Sequence, residues 1–168
     1  LLKTKLRILE KRKRFSNLKT FKTNLKNISN IAELDDYEIS ILEFTILLNQ
    51  YDILDDCTGF LGRNLNSGQT KRVLSIILDI PQKVINRIFS PKSRLGKSSL
   101  LTLDTKYSGS LNDNFNFITD SFAQNMLICN EDMETILKEV IYNCDKTELC
   151  IKDFEHIKSE LNILIPYL

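Results

Sequence analysis

The chain has 168 residues, of which 42% are apolar and 27% charged, and its formal net charge is +1. This length fits one domain, or one domain with an additional segment, and allows a hydrophobic core that needs no disulfide or metal. The near-zero net charge excludes a uniformly basic protein that binds nucleic acid or a membrane surface along its whole length.

Charge is unevenly distributed along the chain. Residues 1–28 contain ten Lys or Arg and one acidic residue, whereas the remaining 140 residues contain 13 basic and 21 acidic residues. The densest basic run is Lys11, Arg12, Lys13 and Arg14. One interpretation is a basic amino-terminal arm over 1–34 that binds phosphates. The other is a solvated helix or linker in front of an acidic body, with the apolar residues of the segment docking on that body.

Helical patterns follow from residue 35. Asp35 and Glu38 have the spacing of a capping box, which predicts the start of a helix. A short second helix follows, with the apolar residues Ile53, Leu54, Cys57, Phe60 and Leu61. Two further helices are predicted over Thr70 to Asp79 and over residues 81–89. The two-residue gap at Ile80 and Pro81 is tighter than the usual connection of a helix-turn-helix.

A two-stranded hairpin is predicted after these helices. Residues 99–103 have strand composition, and Phe115 to Phe117 alternate with the period of a half-buried strand. Helices joined by a tight turn and followed by a hairpin describe a winged helix. The predicted fold is therefore mainly α, with a winged-helix unit over 35–118 whose wing is a small β-hairpin. A helical segment is expected over 119–168.

The strongest candidate site lies on the last predicted helix of this unit and the root of the wing. Between Ile80 and Leu103 there are five basic residues and no acidic ones. The residues expected to contact phosphate are Lys83, Arg87, Lys92, Arg94 and Lys97. Gln82 and Asn86 can hydrogen-bond to base edges or to a partner. The alternative is a protein-interaction module whose basic face meets an acidic surface of a partner.

Other chemical motifs point away from catalysis. Pro91 to Ser98 resembles the second half of a phosphate-binding loop, but Pro91 stands where a glycine is required. The residues Cys57, Cys129, Cys144 and Cys150 lack the spacing of a zinc site, and His156 is the only histidine. We interpret the four as reduced, mostly buried thiols of a cytoplasmic protein. We therefore expect no catalytic residue and no metal ligand. No run is apolar enough to span a membrane, so no membrane partner is expected.

The order of segments resembles the region upstream of the ATPase module in a group of bacterial AAA+ ATPases. The matching stretches are Ser93-Arg94-Leu95 with Ser99-Leu100-Leu101, the hairpin, and Asp153 to Ile157. The resemblance implies a non-catalytic recognition or regulatory domain, with ATP and Mg²⁺ bound only by a module that follows Leu168. Its partner is nucleic acid or protein. The alternative is a protein–protein adaptor or oligomerisation domain that self-associates and binds no nucleic acid.

Overall fold

The computed structural model describes residues 18–106, 108–129 and 133–137. This part of the chain is mainly helical, with one small antiparallel sheet. The predictions for Lys11 to Arg14, Cys144, Cys150 and His156 lie outside the described residues. The elements in chain order are α1 (Leu18–Ile31), α2 (Asp36–Gln50), α3 (Asp52–Thr58), a 3₁₀ turn (Gly59–Leu61), α4 (Ser67–Ile77), α5 (Gln82–Ile88), α6 (Arg94–Ser98), β1 (Leu101–Leu103), a 3₁₀ turn (Asn112–Asn114), β2 (Phe115–Phe117), α7 (Phe122–Ile128) and α8 (Met133–Ile136).

Side-chain caps determine where α2 and α4 begin. The predicted capping box at Asp35 and Glu38 is confirmed at the start of α2. A second box, formed by Asn66 and Gln69, starts α4 at Ser67. That helix therefore begins three residues before the predicted Thr70, because the capping pair satisfies its first backbone amides.

The connection between α4 and α5 is longer than the sequence pattern indicated. Helix α4 ends at Ile77 and α5 begins at Gln82, so four residues separate them. Asp79 takes a left-handed conformation with φ of 52°, and Pro81 caps α5 with the fixed φ that suits a helix start. This four-residue connection is of the length usual for a helix-turn-helix.

The predicted hairpin strands are present and paired. Leu101 lies opposite Phe117 and Leu103 opposite Phe115 in an antiparallel register. A single antiparallel bridge also joins Leu65 to Gly109. The buried Asn114 supports this corner, since its amide donates to the carbonyl of Leu65 at 2.8 Å and to Oγ1 of Thr70 at 2.9 Å.

One hydrophobic core runs through the described residues, from α1 to α8. The part of the 1–34 segment that the structure describes contributes to it as a helix, with Phe21, Leu25 and Ile28 buried. Helix α1 packs mainly against α7. The buried amide of Asn24 donates to the carbonyls of Met126 and Cys129 at 3.1 and 2.7 Å. These bonds satisfy acceptors at the end of α7 that lack a partner within the helix.

The apolar residues of α3 do not enter this core as a group. Leu54 is partly buried, but Ile53, Cys57, Phe60 and Leu61 are exposed. The expectation of buried thiols is therefore wrong for Cys57, while Cys129 is partly buried. Helical spacing shows which residues share a face, but it does not show whether anything covers that face.

Candidate functional site

Helix α5 turns a polar face to solvent. Ile85 and Ile88 are buried, whereas Lys83, Asn86 and Arg87 are exposed. Gln82 is half-buried, and its amide nitrogen donates to Oδ1 of Asn86 at 3.4 Å. This contact is long, and it leaves most of the hydrogen-bonding capacity of the two amides available to a ligand.

The three remaining basic residues of the candidate site lie on the turn after α5 and on α6. Lys92, Arg94 and Lys97 are all exposed. Ser93 holds the turn in place, since its hydroxyl accepts from the amide of Gly96 at 2.9 Å and donates to the carbonyl of Ser90 at 2.7 Å. A serine in this role is a regular helix N-cap.

Gly96, the glycine of the partial phosphate-binding motif, has a packing role. A Cβ at this position would collide with the carbonyl oxygen of Ser90 and come within 2.9 Å of the Ser93 hydroxyl. The glycine therefore lets α6 approach the end of α5. The segment follows a helix and leads into β1 through α6, whereas the phosphate-binding loop follows a strand.

Three of the predicted cations meet in one cleft. Arg87, Lys92 and Arg94 line a depression of about 280 Å³ together with Ser90 and Ser93. Its lining does not include the other predicted site residues, Gln82, Lys83, Asn86 and Lys97. The candidate site is thus a cationic cleft with an exposed polar helix face beside it.

The fold also brings two carboxylates to this cleft. Asp35 pairs with Arg87, with 3.2 Å between Nη2 and Oδ2, and the two side chains are 35% and 64% exposed. Glu38 is buried, and its carboxylate accepts from the backbone amides of Asp35 at 3.0 Å and Arg94 at 3.2 Å. The capping-box pattern predicts the contact within α2, but no sequence signal places Asp35 against α5 or Glu38 against α6.

Four of the five cations have no carboxylate partner in the part of the chain that the structure describes. Across residues 18–106, 108–129 and 133–137, no carboxylate lies within ion-pair distance of Lys83, Lys92, Arg94 or Lys97. Asp35 and Glu38 line the cleft together with Arg87, Lys92 and Arg94, so among the described residues its lining has only a small excess of positive charge.

The described residues contain no group of three or more His, Cys, Asp or Glu side chains placed to hold a metal ion. Among them there is also no helix with both the length and the apolar character needed to cross a membrane.

Comparisons with protein-family models, with curated proteins and with solved structures found no match to the chain. The resemblance to the region upstream of an AAA+ ATPase module stays a prediction from the sequence.

Proposed function

We propose that this chain is a non-catalytic recognition domain that binds duplex nucleic acid through the surface formed by α5, the following turn and α6. The observation that carries the proposal is the set of four exposed cations beside Arg87, which have no ion-pair partner among the described residues and lie on one continuous stretch of the fold. A duplex carries closely spaced phosphates, and lysine and arginine that neutralise them release bound counterions.

The arrangement of elements supports a winged-helix reading of this unit. Helices α4 and α5 pack together across a four-residue connection, and the β1–β2 hairpin follows them. The bridge between Leu65 and Gly109 adds a short extended contact between the start of α4 and the hairpin connection. In this proposal α5 is the recognition helix, which enters the major groove with its exposed face.

Residue chemistry divides the surface into two roles. Lysine and arginine side chains bind phosphate without reading sequence, and Gln82 and Asn86 supply the amides that pair with base edges. Because those two amides contact each other only at 3.4 Å, both can turn toward a base at small cost. We propose that the cleft around Arg87 takes one backbone phosphate beside the groove.

The salt dependence of duplex DNA binding tests the proposal. If about four phosphates are neutralised, affinity falls about 100-fold between 50 and 200 mM salt. The double variant Lys83→Glu, Arg87→Glu removes binding at low salt. The control Lys22→Glu, Lys26→Glu makes the same charge change on the exposed side of α1, which has no extended contact with α5. Undetectable binding at 50 mM salt, or equal losses in the two variants, contradicts the proposal.

A second candidate is a protein-interaction module that recognises an acidic partner. The pairing of Arg87 with Asp35 favours it, because this surface already binds one carboxylate. A polyglutamate peptide distinguishes the two functions. The module for an acidic partner binds that peptide at least as well as duplex DNA, whereas the nucleic-acid-binding domain binds the duplex more tightly at equal charge.

The attached ATPase is proposed from the sequence resemblance alone. The sequence that follows Leu168 in the gene tests it directly. A phosphate-binding loop of the form G-x-x-x-x-G-K-[ST] within about 40 residues supports the proposed context, and its absence over that length contradicts it.

A further inference from the structure

Two serines of the chain follow an arginine by three residues. They are Ser75, after Arg72, and Ser90, after Arg87. Protein kinases select substrates by charge patterns of this kind, since a cation near the hydroxyl binds carboxylates of the kinase. The fold separates the two serines. Ser75 lies within α4, and its hydroxyl donates to the carbonyl of Ile80 at 2.6 Å, so its modification requires the helix to open.

Ser90 lies on the turn between α5 and α6, and its backbone is fixed there. Its amide donates to the carbonyl of Arg87 at 3.1 Å, and its carbonyl accepts from the amide and the hydroxyl of Ser93 at 3.1 and 2.7 Å. The hydroxyl of Ser90 has no hydrogen-bond partner among the described residues and is not a buried atom. The fold thus presents this hydroxyl to solvent on a defined turn, followed by the exposed Pro91.

Three cations lie around the same space. Arg87, Lys92 and Arg94 line the cleft of about 280 Å³ together with Ser90. Arginine and lysine bind phosphate through charge-assisted hydrogen bonds, and a phosphoserine opposite such a cluster forms new contacts of this kind. The cleft therefore combines a free hydroxyl with the side chains that bind its phosphorylated form.

We propose that Ser90 is a phosphorylation site and that its phosphorylation prevents nucleic-acid binding by the α5–α6 surface. In this step, catalysed by a protein kinase, the Ser90 oxygen attacks the γ-phosphorus of a nucleoside triphosphate. The bond to the β,γ-bridging oxygen breaks, the hydroxyl proton passes to a base of the kinase, and the nucleoside diphosphate leaves. The phosphoserine then takes the position proposed above for a backbone phosphate. Only this regulatory part rests on the proposed function.

Two features of the cleft oppose a negative charge at Ser90, and neither prevents the contact. Helix α5 ends two residues earlier, but the partial charge of its carboxyl end is weaker than the full charges of the cations. Of the two carboxylates in the lining, Glu38 is directed to backbone amides. Asp35 keeps its bonds to the first amides of α2 when Arg87 turns to the phosphate.

Phosphoryl transfer to the folded full chain tests the modification. The probe is labelled ATP with a kinase that selects arginine three residues before its target. We expect label on Ser90 and at least about tenfold less on Ser75, where the helix must first open. Ser90→Ala removes this label, whereas Ser75→Ala retains it. Label on Ser75 without label on Ser90, or no label on either, overturns the proposal.

A full chain synthesised with phosphoserine at position 90 tests the contacts. We expect the midpoint of its ³¹P chemical-shift titration to lie about one pH unit below that of the same chain unfolded in urea, because nearby cations favour the dianion. Arg87→Gln moves the midpoint back toward the unfolded value, whereas Lys83→Gln, an exposed cation outside the cleft lining, leaves it unchanged. A midpoint equal to or above that of the unfolded chain overturns the proposal.

Binding of duplex DNA at low salt tests the regulation. We expect phosphorylation of Ser90 to lower the affinity at least about tenfold, since the cations it binds no longer neutralise DNA phosphates. Phosphorylation of Ser40, which is exposed on α2 and outside the cleft lining, adds the same charge and has a smaller effect. Equal losses at the two positions overturn the regulatory part. An unmodified chain that binds no duplex contradicts the proposed function and this regulation, while the phosphorus titration still decides separately on the contacts of the phosphoserine.

Discussion

The guanidinium of Arg87 lies 3.2 Å from the carboxylate of Asp35, so the cation at the centre of the proposed phosphate-binding surface is already paired within the chain. A phosphate that binds there competes with Asp35 for Arg87. The pair joins α5 to the start of α2, since Asp35 also accepts hydrogen bonds from the amides of Tyr37 and Glu38. The carboxylate of Asp35 therefore caps α2 and offsets the positive charge of Arg87 on α5.

Replacing Asp35 separates these two roles. Asparagine caps a helix about as well as aspartate, so Asp35→Asn retains α2 while it releases Arg87. We expect the affinity for duplex DNA at 50 mM salt to rise about threefold to tenfold, with a salt slope steeper by about 0.9 because one more phosphate is neutralised. A fluorescence-anisotropy titration at several salt concentrations measures both quantities.

The matched control for this variant is Asp36→Asn. Asp36 is exposed, lies in the first turn of α2, and has no ion pair with Arg87. Equal gains from Asp35→Asn and Asp36→Asn show that a general reduction of negative charge, rather than release of Arg87, accounts for the tighter binding.

Glu38 links the starts of two helices from a buried position. Its side chain is 3% exposed and accepts from the amides of both Asp35 and Arg94. Glu38→Ala leaves both amides without this acceptor, so we expect the free energy of unfolding to fall by about 2 kcal/mol. Glu38→Gln keeps one acceptor oxygen and should lose less. Urea denaturation measures the change, with Glu43→Ala as a control expected to stay within about 0.5 kcal/mol.

Gly96 lets α6 close against the end of α5. In Gly96→Ala the added Cβ meets the backbone oxygen of Ser90, so the turn that carries Lys92 must shift. We expect a loss of about 1–3 kcal/mol in stability and weaker DNA binding at temperatures where the variant is folded. Gly59→Ala is the control, because a Cβ at that position has no atom within 4 Å. If Gly96→Ala binds DNA and unfolds like the wild type, this close contact does not shape the cleft.

Asp55 makes stability depend on pH. Burial, followed by the nearby Asp113, Asp56 and Asp52, raises the pKa of Asp55 above its unfolded value of 3.8. The native state then binds the proton more tightly, so stability falls as pH rises from 3.8 through the raised pKa and stays lower above it. We therefore expect Asp55→Asn to have a higher Tm than the wild type at pH 7.

The pH profile of Tm checks this assignment. The advantage of Asp55→Asn should shrink as pH falls through the raised pKa of Asp55 and below 3.8, where the wild-type carboxyl becomes protonated in both states. Asp120→Asn, an exposed position outside this carboxylate group, provides the reference profile. An advantage of the same size at pH 3.5 and pH 7 assigns the effect to packing of the amide instead.

Local sequence patterns predicted much of this fold because local interactions determine it. The capping box at Asp35 and the alternation around Asn116 each depend on neighbours within a few residues, and both the α2 start and the β1–β2 pairing are present. The start of α4 differed from the predicted Thr70, because the second capping pair, Asn66 and Gln69, lies in a stretch with the composition of a loop. The exposure of Phe60 could not be predicted, because burial depends on what packs against a helix face.

The candidate site was predictable in its cations but not in its anions. A basic stretch without acidic residues predicts exposed positive charge, and Lys83, Lys92, Arg94 and Lys97 are exposed. The carboxylates of Asp35 and Glu38 enter from about 50 residues earlier in the chain, through hydrogen bonds to Arg87 and to the backbone of Arg94. Linear charge counting cannot find such partners, because the tertiary fold alone decides which distant residues meet.

The hydrogen bonds from Asn24 to the end of α7 can form only late in synthesis, because the two partners are far apart in the chain. The side chain of Asn24 and the carbonyl of Cys129 are 105 positions apart. At a synthesis rate of about 5–20 residues per second, α1 emerges from the ribosome about 5–20 seconds before α7. During this interval the nascent chain carries Phe21, Leu25 and Ile28 without α7, the helix that covers them. A chaperone that binds apolar, basic segments can bind α1 during that time.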